Sequence, residues 1–215
     1  MKKISPSLLS VKKDERIKMA NTLIQNNIDW IHYDYMDTKF VPNYAISVEE
    51  IIDIKKNSPS HTMDIHIMAF NPEEIIKKIV NVVDYATIHY EAFENEKEIF
   101  NLIDKYKPKV KIGLSIKPET EFEKIIPFLN KIDLLLIMSV SPGAGGQSFI
   151  VESLKKIEKA RDYIKKNNLN IIIQVDGGIN DKTAKKCFIA GADVLVSGSY
   201  LTIDFSVLKL NKLLE

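Results

Sequence analysis

The chain has a single cysteine, Cys187, so no internal disulfide can staple it. It sits in the amphipathic stretch KTAKKCFIAGA, where a half-buried packing thiol is expected rather than a nucleophile. An excess of charge is also missing: 30 Lys and Arg stand against 29 Asp and Glu, a net +1. Without a local basic stripe, that balance excludes an extended grip on nucleic acid and points to a small-molecule partner. No run approaches the roughly 18 apolar residues of a membrane span. MKKISPSLLS carries no apolar leader segment, so a cytoplasmic protein with no membrane partner is expected. There is no linker or low-complexity tract to mark a second domain, and no glycine follows the first apolar run, Ile4-Ser5-Pro6-Ser7-Leu8. An open sheet that binds a dinucleotide would place G-x-G-x-x-G there.

What is present is ordinary globular composition, 45% hydrophobic and 27% charged over 215 residues, enough for one sizeable core. Short apolar runs alternate with longer charged amphipathic segments, the pattern of β-α units around a parallel sheet. Strands are expected at 3–5, 30–34, 62–68, 85–89, 110–115, 134–138, 171–175 and 194–197. Helices are expected at 14–26, 48–57, 72–81, 95–106, 119–130, 149–167, 181–190 and from 205, with Ser47, Asn71 and Asn180 as caps. Eight strands, each followed by a helix, predict an α/β fold, a single (β/α)8 TIM barrel over residues 1–215 as one domain, which the residues at its rim would make catalytic.

In such a barrel the chemistry collects at the C-terminal strand ends. Strand two ends in His32-Tyr33-Asp34-Tyr35-Met36-Asp37, strand three in Asp64-Ile65-His66-Ile67-Met68, strand four in His89-Tyr90-Glu91 and strand seven in Gln174-Val175-Asp176-Gly177-Gly178. Residues two apart on a strand face the same side, so His32 and Asp34 point together into the barrel, where His66 and Asp176 join them. Buried carboxylates side by side are costly, and a divalent cation is the simplest compensation. Two nitrogens and two oxygens suit zinc, iron(II), manganese or cobalt better than magnesium or calcium. Taken singly, a strand-end His is more often a packing residue and a strand-end Asp a helix cap; it is the convergence of three strands that carries the reading. Asp37 and Glu91 are less specific, and His61, before its strand, is expected on the surface.

Three successive loops carry glycine where a phosphate would want backbone amides: Ser141-Pro142-Gly143-Ala144-Gly145-Gly146-Gln147, Asp176-Gly177-Gly178 and Gly198-Ser199. Each alone would be a tight turn; together they point to a phosphorylated substrate.

These ordered motifs resemble those of the ribulose-phosphate 3-epimerase family along essentially the whole chain. The segments are ISPSLLS, HYDYMDTKFVPN, DIHIMAFNPE, ATIHYEA, MSVSPGAGGQSFI, VDGGIN and VSGSYL. The resemblance implies an isomerase of the pentose phosphate pathway that interconverts D-ribulose 5-phosphate and D-xylulose 5-phosphate by two-base proton transfer at C3, through an enediolate. It implies one divalent metal per subunit on His32, Asp34, His66 and Asp176, with Asp34 and Asp176 as the acid–base pair. Ser7 and His66 would contact the sugar phosphate. Gly143, Ala144, Gly145, Gly146, Gly177, Gly178, Gly198 and Ser199 would receive or frame its phosphate, and Met36, Met68 and Met138 would line the floor. Related enzymes form dimers or larger rings, so a homo-oligomer is possible. The chain departs from the family pattern at Thr38, Lys39, Ser141 and Ala144, positions that shape a lid over the substrate. Two other readings compete: an allulose-6-phosphate 3-epimerase using the same pair of acids, and a non-catalytic barrel that binds sugar phosphates.

Overall fold

The computed structural model describes residues 2–215. Its strands are Lys3–Pro6 (β1), Trp30–Met36 (β2), Thr62–Met68 (β3), Tyr85–His89 (β4), Lys111–Ile116 (β5), Leu134–Met138 (β6), Ile172–Asp176 (β7) and Val194–Ser197 (β8). They pair in the order β1-β8-β7-β6-β5-β4-β3-β2, every pair parallel. The two ends of that row meet where Ser7 bridges His32. Ser7 N donates to Ser197 O at 3.1 Å and Leu8 N to His32 O at 3.3 Å, so the residues just after β1 stitch β8 to β2 and close the (β/α)8 barrel.

Helices Arg16–Gln25 (α1), Val48–Asn57 (α2), Pro72–Ile79 (α3), Glu96–Tyr106 (α4), Ser153–Lys166 (α5), Ala184–Ala190 (α6) and Val207–Leu214 (α8) form the outer layer, with a short turn Ser199–Thr202 (α7) after β8. Ser47 caps α2 in a reciprocal box, its Oγ accepting from Glu50 N at 3.2 Å while Glu50 Oε2 accepts from Ser47 N at 3.1 Å. Pro72 opens α3 at a position where a missing N–H costs nothing.

Three expected helices start or form differently. The one expected at 119–130 is a 3-10 helix, Phe122–Phe128, with Pro127 inside it; proline has no N–H to continue an α-helical ladder. The one expected at 149–167 begins at Ser153, because Ile150 N first returns to the barrel and donates to Ser139 O at 2.8 Å. The one expected at 181–190 begins at Ala184, because Asn180 Oδ1 accepts from Lys182 N at 2.9 Å and makes a side-chain turn ahead of the helix.

The outward strand faces, with Ile31, Tyr33, Met63, Ile65, Ile67 and Ile88 among them, meet the helices in one continuous core. Cys187 belongs to that core and is fully rather than half buried, with its thiol pushed up to about 12 by burial. His61 also differs from the surface position expected of it. It is buried, its Nε2 accepting from Tyr33 O–H at 2.7 Å and its Nδ1 donating to Pro59 O at 2.8 Å. The inward face divides by height. At the bottom Trp30 and Tyr85 stack with centroids 5.0 Å apart beside Leu134, Leu136 and Val194. Above that floor the inward residues turn polar, and His32, Asp64, His66, Thr87, His89 and Gln174 are all completely buried. Among the described residues no helix is long and apolar enough to cross a membrane.

Candidate active site

The polar half of the barrel opens at the C-terminal strand ends into a cavity of about 370 Å³. At its base β2 contributes His32 and Asp34, β3 contributes His66 and β7 contributes Asp176. One ligand atom from each lies within 4.8 Å of all the others. Asp34 Oδ1 is 3.5 Å from His32 Nε2 and 3.3 Å from His66 Nδ1, while Asp176 Oδ2 is 4.0 Å and 3.8 Å from the same nitrogens. Most of these separations are too long for hydrogen bonds. They are close to the roughly 3.3 Å between two donors that each sit about 2.0–2.1 Å from one ion. His32 Nε2 is buried and has no hydrogen-bond partner, although it faces two carboxylates. That orphaned nitrogen and the mixed nitrogen and oxygen donors fit a divalent metal.

Three of the four, His32, Asp34 and His66, are held from behind. His32 Nδ1 lies 2.9 Å from Asp64 Oδ2, an oxygen that also accepts from Gln174 Nε2 at 2.5 Å and Trp30 Nε1 at 3.3 Å. Asp34 Oδ2 accepts from Ser7 O–H at 2.6 Å. His66 Nε2 is 2.8 Å from His89 Nε2, and His89 Nδ1 is 3.0 Å from Glu91 Oε2. The sequence lists Asp64, His89, Glu91 and Gln174 at strand ends but assigns none of them a part in the site. The available signal is that Asp64 and His66 share one strand face, as do Gln174 and Asp176.

The surroundings push the two central carboxylates apart. Burial opposes charge on Asp34, but His32 and His66 outweigh it and hold the carboxyl well below its usual range. Asp176 is pushed up to about 6 by burial and by the Asp34 charge. Burial also opposes charge on His32, yet Asp64 and Asp34 raise its imidazole well above the usual value. Burial lowers His89 to about 4 against the pull of Glu91.

Ser7, the four-residue run Gly143–Gly146, Gly177, Gly178, Gly198 and Ser199 all line the same cavity, with Met36, Met68 and Met138 below them. His32 stands behind that wall rather than on it. Among the described residues no Lys or Arg lines the cavity. Two glycines are required where they stand. Gly178 has φ +63°, and a Cβ there would come within 2.5 Å of Phe149 N. Gly143 has φ +109°, and a Cβ there would meet Val41 at 2.8 Å, where the loop after β2 crosses the loop after β6. Asn43 Nδ2 ties those loops together by donating to Gly143 O at 2.7 Å. Gln147 Nε2 closes the glycine loop on itself through Ser141 O and Ala144 O, at 2.7 and 2.8 Å. Thr38 holds φ +63°, a left-handed conformation unusual for a β-branched residue, and half-buried Asp37 stabilises the turn by accepting from Lys39 N, Phe40 N and Phe70 N.

A sequence model of the Ribulose-phosphate 3 epimerase family matches residues 3–202. The chain is 34% identical over 200 residues to the ribulose-phosphate 3-epimerase of Schizosaccharomyces pombe, an alignment covering 92% of this chain and 85% of that protein. It is 40% identical over 185 residues to the Chlamydia pneumoniae ribulose-phosphate 3-epimerase, covering 85% and 80%. Among solved structures, 3-hexulose-6-phosphate synthase from Salmonella typhimurium shares the fold with a TM-score of 0.71 at 18% identity, covering 98% of this chain and 96% of that one.

Proposed function

The chain belongs to the ribulose-phosphate 3-epimerase family, and from that premise we propose that Asp34 and Asp176 are the two acid–base groups that invert C3 of its sugar phosphate. The protein is an isomerase, interconverting D-ribulose 5-phosphate and D-xylulose 5-phosphate. The observation that carries the assignment of residues is the convergence of two carboxylates and two imidazoles at the base of the one cavity that the glycine loops roof.

Inverting a carbon beside a ketone means taking its proton from one face and returning one to the other, which needs two groups. Asp34 is the carboxylate its surroundings hold firmly ionised, and Asp176 is the one they leave readier to take up a proton, an asymmetry that suits one acid and one base. For the reverse reaction the roles exchange. Ser7 holds Asp34 in place through Oδ2. Positioned acid–base catalysis contributes roughly 10²- to 10⁴-fold, short of the 10⁶-fold or more typical of enzymes. His32, Asp34, His66 and Asp176 would hold a zinc, iron(II), manganese or cobalt ion, which when bound supplies several kcal/mol of stabilisation to negative charge developing on the enediolate. With no Lys or Arg in the cavity, the phosphate rests on backbone amides and hydroxyls of Gly143–Gly146, Gly177, Gly178, Gly198 and Ser199. We place the enzyme in the cytoplasm with a small sugar phosphate as its partner, and read residues 1–215 as one catalytic barrel.

Asp34→Asn and Asp176→Asn, each purified, folded and analysed for metal, are expected to lose at least about 10²-fold in kcat. Near-normal turnover in either variant would rule out the two-carboxylate scheme.

A further inference from the structure

One buried run of titratable groups has no part in that proton transfer. It starts at His66, whose Nδ1 faces the cluster and whose Nε2 points away from it to His89 Nε2 at 2.8 Å. His89 is completely buried, its ring covered by Phe40 at a centroid distance of 4.8 Å, and its Nδ1 reaches Glu91 Oε2 at 3.0 Å. The other oxygen of Glu91 accepts from Lys117 N at 2.8 Å and Thr120 O–H at 2.5 Å, both in the loop after β5. We propose that His89 and Glu91 are positioning residues of the metal centre, fixing the tautomer of His66 so that its Nδ1 lone pair faces Asp34 and Asp176. The inference rests on the reading of the four-residue cluster as a metal site.

The argument is one of donors and acceptors. A neutral imidazole has one N–H and one lone pair, and two ring nitrogens 2.8 Å apart share a single hydrogen. An ionised carboxylate only accepts, so Glu91 places the hydrogen of His89 on Nδ1. His89 Nε2 is then the acceptor, His66 Nε2 the donor, and the His66 lone pair is left on Nδ1. Asp64 does the same for His32 in a single step: it keeps N–H on Nδ1, so a cation at the cluster need displace only the proton on the orphaned Nε2. Both imidazoles thus offer lone pairs to one point, one backed directly by a carboxylate and the other through a second ring.

The orientation of Glu91 is pinned at its far end, because the Lys117 backbone N–H can only donate. Glu91→Gln therefore keeps its carbonyl oxygen toward Lys117 and turns its NH2 toward His89. That inverts both rings, putting N–H on His89 Nε2 and then on His66 Nδ1, the atom meant to bind. A nearly isosteric substitution thus blocks a ligand it never touches.

The test is titration of Zn(II) alone into the metal-stripped full-length chain against a chromophoric chelator. Glu91→Gln and His89→Phe are expected to lose 10- to 100-fold in Zn(II) affinity. His89→Gln, whose amide oxygen can still accept from His66, stays within about threefold of wild type on the same reasoning. Asp34→Asn serves as the control, since its loss of affinity establishes the four-residue site independently. If Asp34→Asn weakens Zn(II) while Glu91→Gln binds as wild type does, the positioning role is overturned and the metal site stands. If Asp34→Asn changes nothing, the metal reading fails and the positioning role with it. Imidazole ¹⁵N NMR of the wild-type chain needs no variant: hydrogen on His66 Nε2 and His89 Nδ1 is expected, and hydrogen on His66 Nδ1 would contradict the proposal.

Discussion

His61 shows how much one side chain can depend on its face of a strand. It lies an even number of residues from Met63 and Ile65, on the side of β3 that meets the helices, and there it accepts the hydroxyl of buried Tyr33 at 2.7 Å. Burial lowers the imidazole below its ordinary value, and its Nδ1–H is already committed to Pro59 O. Protonation would put a second N–H against the Tyr33 hydroxyl and leave that hydroxyl hydrogen without its acceptor. A folded pKa below the unfolded value of about 6.5 means that the unfolded chain takes up protons first, so this contribution to stability is lost as pH falls through that range. Thermal unfolding at pH 7.5 and 5.5 is expected to show a larger loss in wild type than in His61→Gln, whose amide does not titrate. Parallel losses would show that His61 contributes no such dependence. Asp176, with its pKa raised, acts in the opposite sense over part of the window but is common to both proteins. Position before the strand suggested a surface residue; parity with Met63 and Ile65 was the better guide. The inward set His32, Asp34, His66 and Asp176 was legible by that same parity, because the sign of a strand face does not depend on pairing. What Asp64 and His89 touch was not legible, since it depends on the register that sets His32 beside Asp64 and on side chains meeting across the barrel interior.

Among the elements, α1 and α2 are coupled through one carboxylate. Glu50 closes the capping box of α2 with Oε2 and receives Arg16 Nη1 from α1 on Oε1 at 2.6 Å, with only 11% and 12% of the two side chains exposed. Ser47→Ala removes a cap and is expected to cost about 1 kcal/mol. Glu50→Ala removes the reciprocal bond and also leaves the Arg16 guanidinium without its carboxylate, for about 2–3 kcal/mol. Urea unfolding of the two variants checks the order, and equal losses would mean that the Arg16 contact contributes nothing. The strands were readable to within two residues at either end because short apolar runs are bounded sharply by charge. The helix starts were less so. Amphipathic spacing extends through 149–152 and 181–183, but Ile150 and Asn180 commit that backbone to other hydrogen bonds before a helix can begin. Pro127 marked the weakness of the 119–130 segment, which the apolar periodicity alone concealed.

For the whole molecule, closure of the barrel is what turns dispersed residues into a site. Asp34 and Asp176 lie on β2 and β7, and only β1 and β8 stand between them on the short way round. Those two strands offer small groups at the mouth, Ser7, Gly198 and Ser199, so the cavity opens on their side of the carboxylates and a sugar phosphate has room there. The bridge from Ser7 to His32 that closes the sheet also brings the Ser7 hydroxyl onto Asp34. Barrel closure and the proposed site geometry thus share the same few contacts. Two carboxylates used in turn leave a signature in the product: the proton taken from C3 departs with one acid, and the hydrogen that replaces it comes from the other, which has exchanged with solvent. The direct measurement is proton NMR of ribulose 5-phosphate with the metal-analysed enzyme in D2O, read early in the reaction. The account predicts that xylulose 5-phosphate appears with deuterium at C3 in essentially every molecule. Xylulose 5-phosphate that retains the substrate proton at C3, or no conversion by folded, metal-replete protein, would contradict it.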